Sequence, residues 1–226
     1  MEKVLQTHTV SSFDKELNNI SSNVVSMSEL VIDVVRIFLD SLSDPRGENL
    51  SKVEEIDNKV NELDRNVEKI STNIIALRHP LAIDLRYVIA ATKISTIIER
   101  QGDMIESAVK KLLNIETKIL NEYKDSLTLI ANYGIEMLSY AIKGYKNQDT
   151  NEANKVWRIE DKVDDMCDEL FIKIKNDIRN HPSDVDSYVS VMLIVRGLER
   201  IADYCTKITK AVHYVTSGER VSERDF

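Results

Sequence analysis

Apolar residues recur at alternating steps of three and four along almost the whole chain, and the pattern is written twice. Leu17, Ile20, Val24, Met27, Val31, Val34 and Phe38 form the first stripe. Positions so spaced share one face of an α-helix, which predicts an amphipathic helix packed along a coiled-coil-like seam. "SDPRG" at 43–47 should end it, because Pro45 cannot continue a helix. A second, unbroken stripe runs through Val53, Ile56, Val60, Leu63, Val67, Ile70, Ile74 and Leu77. After "RHPLAID" at 78–84, a third takes Ile94, Ile98, Ile105, Ala108 and Leu112, with Gln101 the one polar residue on its seam.

The same order then returns. Leu120, Tyr123, Leu127, Ile130, Gly134, Met137 and Ala141 stand 103 residues after the first seven. Val156, Ile159, Val163, Met166 and Leu170 stand 103 after the first five of the second stripe. Val191, Ile194, Leu198, Ile201, Cys205, Ile208 and Val212 match the third at an offset of 100. The drop from 103 to 100 places a three-residue shortening around the second connection, where "NHPSD" at 180–184 echoes "RHPLAID". A period near 100 is too long for a solenoid unit and suits a duplicated three-helix hairpin. The fold class expected is all-α, two repeated antiparallel three-helix bundles, over 1–114 and 115–226. "KNQDT" at 146–150 is read as the joint between the bundles.

Composition removes several alternatives. Six glycines and three prolines in 226 residues supply little material for the tight turns of an all-β fold. A net charge of −8 argues against nucleic-acid binding, which needs a basic field. No segment approaches a membrane span: "YVSVMLIV" at 188–195 is too short, and "LVIDVVRIFL" carries Asp33 and Arg36. The amino terminus lacks the apolar core of a signal peptide. Cys167 and Cys205 form no CxxC pattern, so neither a disulfide framework nor a thiolate zinc site is expected. A cytoplasmic location follows as the expectation.

The acidic residues are placed as regularly as the apolar ones. "ERQGD" at 99–103 returns as "ERIAD" at 199–203, so Glu99 and Glu199 flank equivalent seams, with Asp103 and Asp203 one turn further on. The second helices match them: Asp57 and Glu160 flank their seams, followed four residues later by Asn61 and Asp164. Neighbouring helices would bring four oxygen-bearing side chains of each repeat to one groove. Two carboxylates ~4 Å apart repel by roughly 4 kcal/mol at an effective dielectric of 20, so their pKa values must rise or a cation must enter. All-oxygen ligand sets suit magnesium, manganese, iron or calcium better than zinc, and bridging carboxylates allow a multinuclear site. The alternative is a solvated flank paired with Arg100, Arg200, Lys59 or Lys162, which is common on helices. Asn61 leaves the first set one charge short, with Asp64 and Glu68 near enough to compensate, while Asp165, Asp168 and Glu169 enrich the second. The second site is therefore expected to hold metal more tightly.

Taken together, "FDKEL" at 13–17, "IDNKVNELD" at 56–64, "LRHPLAIDLRYV" at 77–88, "ERQGD", "IEDKVDDM" at 159–166 and "ERIAD" resemble the PhoU family of phosphate-signalling regulators over nearly the whole chain. The resemblance implies two three-helix bundles whose acidic motifs hold multinuclear metal clusters, iron foremost, with manganese, magnesium or zinc also admissible. By position the implied ligands are Asp57, Glu99 and Asp103, with Asn61 where the family has aspartate, and Glu160, Asp164, Glu199 and Asp203 in the second repeat. It also implies a non-catalytic negative regulator of phosphate uptake and starvation signalling. Its partners would be the phosphate ABC transporter's ATPase and a sensor histidine kinase, with homodimer formation left open. The family's "QP-A-DLR" stands here with His79 for glutamine, and "HPSDVDSYV" lacks the leucine-arginine pair.

Other residues read more plainly. His79 and His181 precede prolines and suit turns; Asp84, Ser183 and Asp184 suit helix caps. Arg86 suits a partner contact or a salt bridge at a helix start. Cys167 and Cys205 suit the core, and Trp157 the core or a groove lip. His8 and His213 have no acid–base partner to be placed. An enzyme is the rival class. A di-metal carboxylate oxidase needs Glu-x-x-His pairs, which the four histidines do not form, and no phosphate loop, nucleophile elbow or triad is present. A metal-independent helical adaptor on the same scaffold is the second alternative.

Overall fold

The computed structural model describes residues 11–45 and 47–222. Six long helices carry the chain: α1 (Ser11–Ser41), α2 (Gly47–Arg78), α3 (Ala82–Leu112), α4 (Thr117–Asn147), α6 (Trp157–Asn180) and α7 (Val185–Ser217). A one-turn α5 (Thr150–Ala153) and a 3-10 turn (Asn154–Val156) lead into α6, and a second such turn (Pro182–Asp184) leads into α7. There is no strand among the described residues, and none of the helices is long and apolar enough to cross a membrane.

Helix formation follows the seams. Every first-stripe residue is buried, as are its seven counterparts on α4 and the full third stripe on α7. On α2 the stripe fades: Ile56, Leu63 and Ile70 are half-buried, and Leu77 is 75 % exposed. Periodicity continues past the point where a partner helix covers it, so Leu77 belongs to the stripe but not to the core. Chain reversals fall where the backbone leaves the right-handed region. His79 takes φ 49°, and Pro80 behind it has no N–H to continue α2. Gln148 (φ 52°) closes α4 by donating its N–H toward the carbonyls of Gly144 and Tyr145.

The "KNQDT" segment therefore joins α4 to the α5–α6 arm, inside the second set of three helices and not between the sets. The sets meet instead at the short turn 113–116 between α3 and α4. Capping also departs from expectation. Leu81 occupies the N-cap of α3 without a side-chain bond, and Asp184 sits at the N-cap of α7 likewise unbonded to it, with the Ser183 hydroxyl donating to its carboxylate (3.0 Å). Asp149 is a well-formed cap: its side chain accepts from Asn151 N and Glu152 N at the start of α5.

Helices α1, α2 and α3 pack as one bundle and α4, α6 and α7 as the other, and the two share a single continuous core. The bundles join mainly through α3 and α7, which run antiparallel. Arg86 meets Val215, Gln101 meets Ile201, and Met104 lies against Gly197. Because equivalent residues of α3 and α7 differ by 100, exchange of the repeats returns Gln101–Ile201 to itself and carries Met104–Gly197 to Ile97–Tyr204, which places a pseudo-twofold axis close to positions 100 and 101. Gln101 sits beside it fully buried, its Nε2 donating to the Ile201 carbonyl (3.0 Å) and Cys205 Sγ (3.3 Å). The symmetry is imperfect at its ends. Arg86 Nε donates to Val215 O (3.2 Å), supplying the last turn of α7 with a donor that it lacks internally. At the other end, where Asp186 replaces the arginine, the Glu116 N–H instead donates to Ser187 Oγ (3.2 Å).

Candidate functional site

The grooves between α2 and α3, and between α6 and α7, carry the acidic residues singled out in the sequence. Asp57 projects from α2 to the backbone of α3: a Cβ placed on Gly102 would lie 3.8 Å from its Oδ1. Burial raises the Asp57 carboxyl above its ordinary range, and the charges of Asp103 and Glu106 raise it further. Glu99 is raised by burial and then by Asp103, Asp64 and Asp57. Asp103, nearer solvent, is raised by partial desolvation and by Glu106. Asp57, Glu99 and Asp103 thus act on one another across a single groove, with Asp64 and Glu106 at its margin.

In the second groove, burial raises Asp164, followed by Asp203, Glu199, Asp161 and Asp168. Asp164, Glu199 and Asp203 are thereby brought together. Glu160, the repeat mate of Asp57, is half-buried, and its charge is felt at Cys205, whose buried thiol is pushed up to about 12. Burial likewise pushes the Cys167 thiol up to about 12, with Glu199 and Asp164 adding to it, so neither cysteine offers a thiolate near neutral pH.

Each groove holds one carboxylate by a single oxygen and buries the other without a partner. Asn61 Nδ2 donates to Asp57 Oδ2 (2.8 Å), leaving Asp57 Oδ1 buried and unbonded. Arg196 Nη1 pairs with Glu199 Oε1 (2.5 Å), leaving Glu199 Oε2 in the same condition. A buried unbonded carboxylate oxygen costs about 1–3 kcal/mol or more. Two such atoms, one per repeat, each in a groove that holds a raised carboxyl, are the environment a hard cation relieves, and the all-oxygen donor set fits one. The side chains are not closed around a point, however. Among the described residues no group of three His, Cys, Asp or Glu stands close enough to hold a metal ion.

Arg196 and Glu106 were not anticipated from sequence, although Arg196 lies three residues before Glu199 and Glu106 three after Asp103, both within one helical turn. Glu68 and Glu169 are exposed. His79 and His181 lie in the turns at the bundle ends, as their prolines imply. Trp157 is buried beneath Lys210, whose ammonium lies 5.3 Å from its ring. His8 lies outside the described residues. His213 Nε2 meets Asn154 Oδ1 at 2.6 Å.

Comparison with known proteins gives a consistent picture. The sequence model of the PhoU domain matches twice, over residues 24–112 and 127–212, one match in each repeat. The chain is 28 % identical over 217 residues to a Zymomonas mobilis protein named phosphate-specific transport system accessory protein PhoU homolog, covering 96 % of this chain and 92 % of that one. The crystal structure of PhoU from Pseudomonas aeruginosa superposes with a TM-score of 0.83 at 24 % identity, covering 92 % of this chain and all (100 %) of that one. The phosphate transport system regulatory protein PhoU from Streptococcus pneumoniae superposes with a TM-score of 0.85 at 22 % identity, covering 93 % and 99 %. At those identities the two structures speak for the fold.

Proposed function

Because this chain belongs to the PhoU family, we propose that it is a phosphate-transport accessory protein, a negative regulator of phosphate uptake and phosphate-starvation signalling. The observation that supports this reading is the double domain match, one per repeat, together with relatives named phosphate-specific transport system accessory protein that align over nearly its full length. The protein works through contacts and not by catalysis. It acts in the cytoplasm, on the ATPase of the phosphate ABC transporter and on the sensor histidine kinase. Loss of the protein should raise both phosphate uptake and starvation-gene output in phosphate-rich medium. Unchanged output in such cells would refute the regulatory reading. Co-purification with the ATPase and the kinase tests the partners separately.

The grooves are the metal sites of this reading. Asp57, Glu99 and Asp103 hold one ion or cluster, and Asp164, Glu199 and Asp203, with Glu160 at the margin, hold the other. Asp57 Oδ1 and Glu199 Oε2 are the anchoring oxygens, since each is already desolvated and unbonded. A bound metal would supply the positive charge that the desolvated Asp57 Oδ1 and Glu199 Oε2 lack. Iron is the first choice for a multinuclear site. A metal-independent adaptor is the second reading, favoured by the open spacing of the carboxylates. Elemental analysis of untagged protein, before and after chelation, separates the two.

A further inference from the structure

The outer face of α7 carries an apolar stripe that the described chain leaves open to solvent. Val185, Val189 and Leu193 stand one helical turn apart and are 37 %, 42 % and 51 % exposed. One turn further, Gly197 continues the stripe without a side chain. There Leu193 and Gly197, with Met104 and Ala108 of α3, line a depression of about 170 Å³. Apolar residues scattered singly on a surface need no explanation, but a row of them leading into a depression marks a contact site.

The repeat mates show that the row is not a by-product of the fold. Leu85 and Ile89 are half-buried, and Lys93 stands where α7 has Leu193. The end of the chain reaches that surface: Arg220 and Val221 line a depression together with Ala90 and Lys93, and the turn at Gly218 packs on Arg86. The corresponding stretch after α3 is the turn 113–116, which bonds Ser187 through the Glu116 N–H and then leads away into α4. The covered copy therefore has the lysine, and the bare copy has the leucine. Water as the only neighbour would favour the reverse.

The rim of the depression is basic. Lys111, Arg196 and Arg200 line it, and no acidic side chain does. Arg196 is committed to Glu199. Lys111 donates to the hydroxyl and carbonyl of Ser107, neutral partners that leave its charge in place. We propose that this face of α7 docks a short acidic amphipathic helix of a partner protein, its apolar residues on Val189 and Leu193 and its carboxylates on Lys111 and Arg200. From Val185 to Arg200 the helix runs about 22 Å, roughly four turns, which suits helix-in-groove recognition. A basic rim on a chain of net charge −8 selects an acidic partner and steers it to this place. The same net charge disfavours a second copy and an anionic lipid surface. This docking rests on the contact-based function above and does not involve bound metal.

Photo-crosslinking from p-benzoylphenylalanine at position 193, in cells growing on phosphate, tests it. Position 129 on α4, where Leu129 is likewise exposed, is the control. Position 193 should join one partner protein, at a segment with apolar residues three or four apart and flanking Asp or Glu; position 129 should not. A synthetic peptide of that segment should bind the purified full chain. Leu193→Asp and Arg200→Glu should each weaken the binding by roughly tenfold, and Leu129→Asp should leave it within about twofold. All three positions are exposed, so folding is preserved, which a thermal melt verifies. A link chiefly to another copy of this chain, to lipid, or to a segment without excess carboxylates overturns the proposal. So does the absence of any link, or undiminished binding by either variant. The regulatory reading fails separately: it falls if deletion of the protein leaves phosphate uptake unchanged, whatever position 193 joins.

Discussion

At the scale of single residues, repeat mates tell which choices are constrained. Gly102 is contacted by Val31 at 3.6 Å and Asp57 at 3.8 Å from the point where a Cβ would sit, which is ordinary contact, and its mate is Ala202. Gly102→Ala should therefore stabilise the protein by up to ~1 kcal/mol through helix propensity, read as a higher urea midpoint. His213 gives a pH dependence. Burial lowers its pKa below the ordinary histidine value, so between the folded and unfolded values only the unfolded chain takes up the proton. Its contribution is complete above the unfolded pKa and is lost as pH falls through that window. Between pH 7.5 and 5.5 the wild-type urea midpoint should fall, and that of His213→Gln should fall less; equal falls would exclude His213 as the cause. The acidic ligand candidates were legible in the sequence because their spacing repeats. Their partners were not, because an Arg196 that neutralises Glu199 and an Arg196 that faces solvent read identically along a helix.

At the scale of elements, seams were legible and ends were not. Seven of seven residues in the first stripe are buried, since burial of one face is what a period near 3.6 encodes. The break of the fifth segment into α5, a 3-10 turn and α6 left no mark on that period, as Val156 and Ile159 keep the stripe running through it. Its cause is local. A Cβ on Gly144 would lie 2.7 Å from Ala153 Cβ and 2.9 Å from its backbone nitrogen, so α4 and α5 touch almost backbone to backbone. Gly144→Ala should destabilise by about 1–3 kcal/mol, the ordinary cost of overpacking, although alanine is the better helix former. Opposite shifts of the urea midpoint for Gly102→Ala and Gly144→Ala would establish that space and not propensity decides. Stabilisation by both would refute the close approach.

At the scale of the whole molecule, the equal offsets announced a duplication but not which faces of the copies meet. Gln101, polar on an otherwise apolar seam, was the visible hint, and it lies where the copies cross. The charge balance of the two grooves also needed the assembled structure. The sequence assigns the second groove an extra carboxylate, but Arg196 offsets it. Removing that offset with Arg196→Ala should raise metal affinity at the second groove relative to the first, measured by competitive titration of the metal-free protein. Charge-removing pairs such as Glu99→Gln with Asp103→Asn should release metal and raise the melting temperature of the metal-free form, since like-charge repulsion is relieved. A melting temperature that drops in chelator would mean these carboxylates support the fold in some other way.

The antiparallel crossing of α3 and α7 also sets the order in which the molecule is made. Within each set, successive helices need only short loops to close, whereas the Gln101–Ile201 contact joins residues 100 apart and must wait for the last helix to exist. Docking of the two halves is then expected to follow the rate-limiting step. Gln101→Ala should accelerate unfolding several-fold and leave the refolding rate nearly unchanged, a chevron displaced on one limb only. Equal displacement of both limbs would place the crossing inside the folding nucleus.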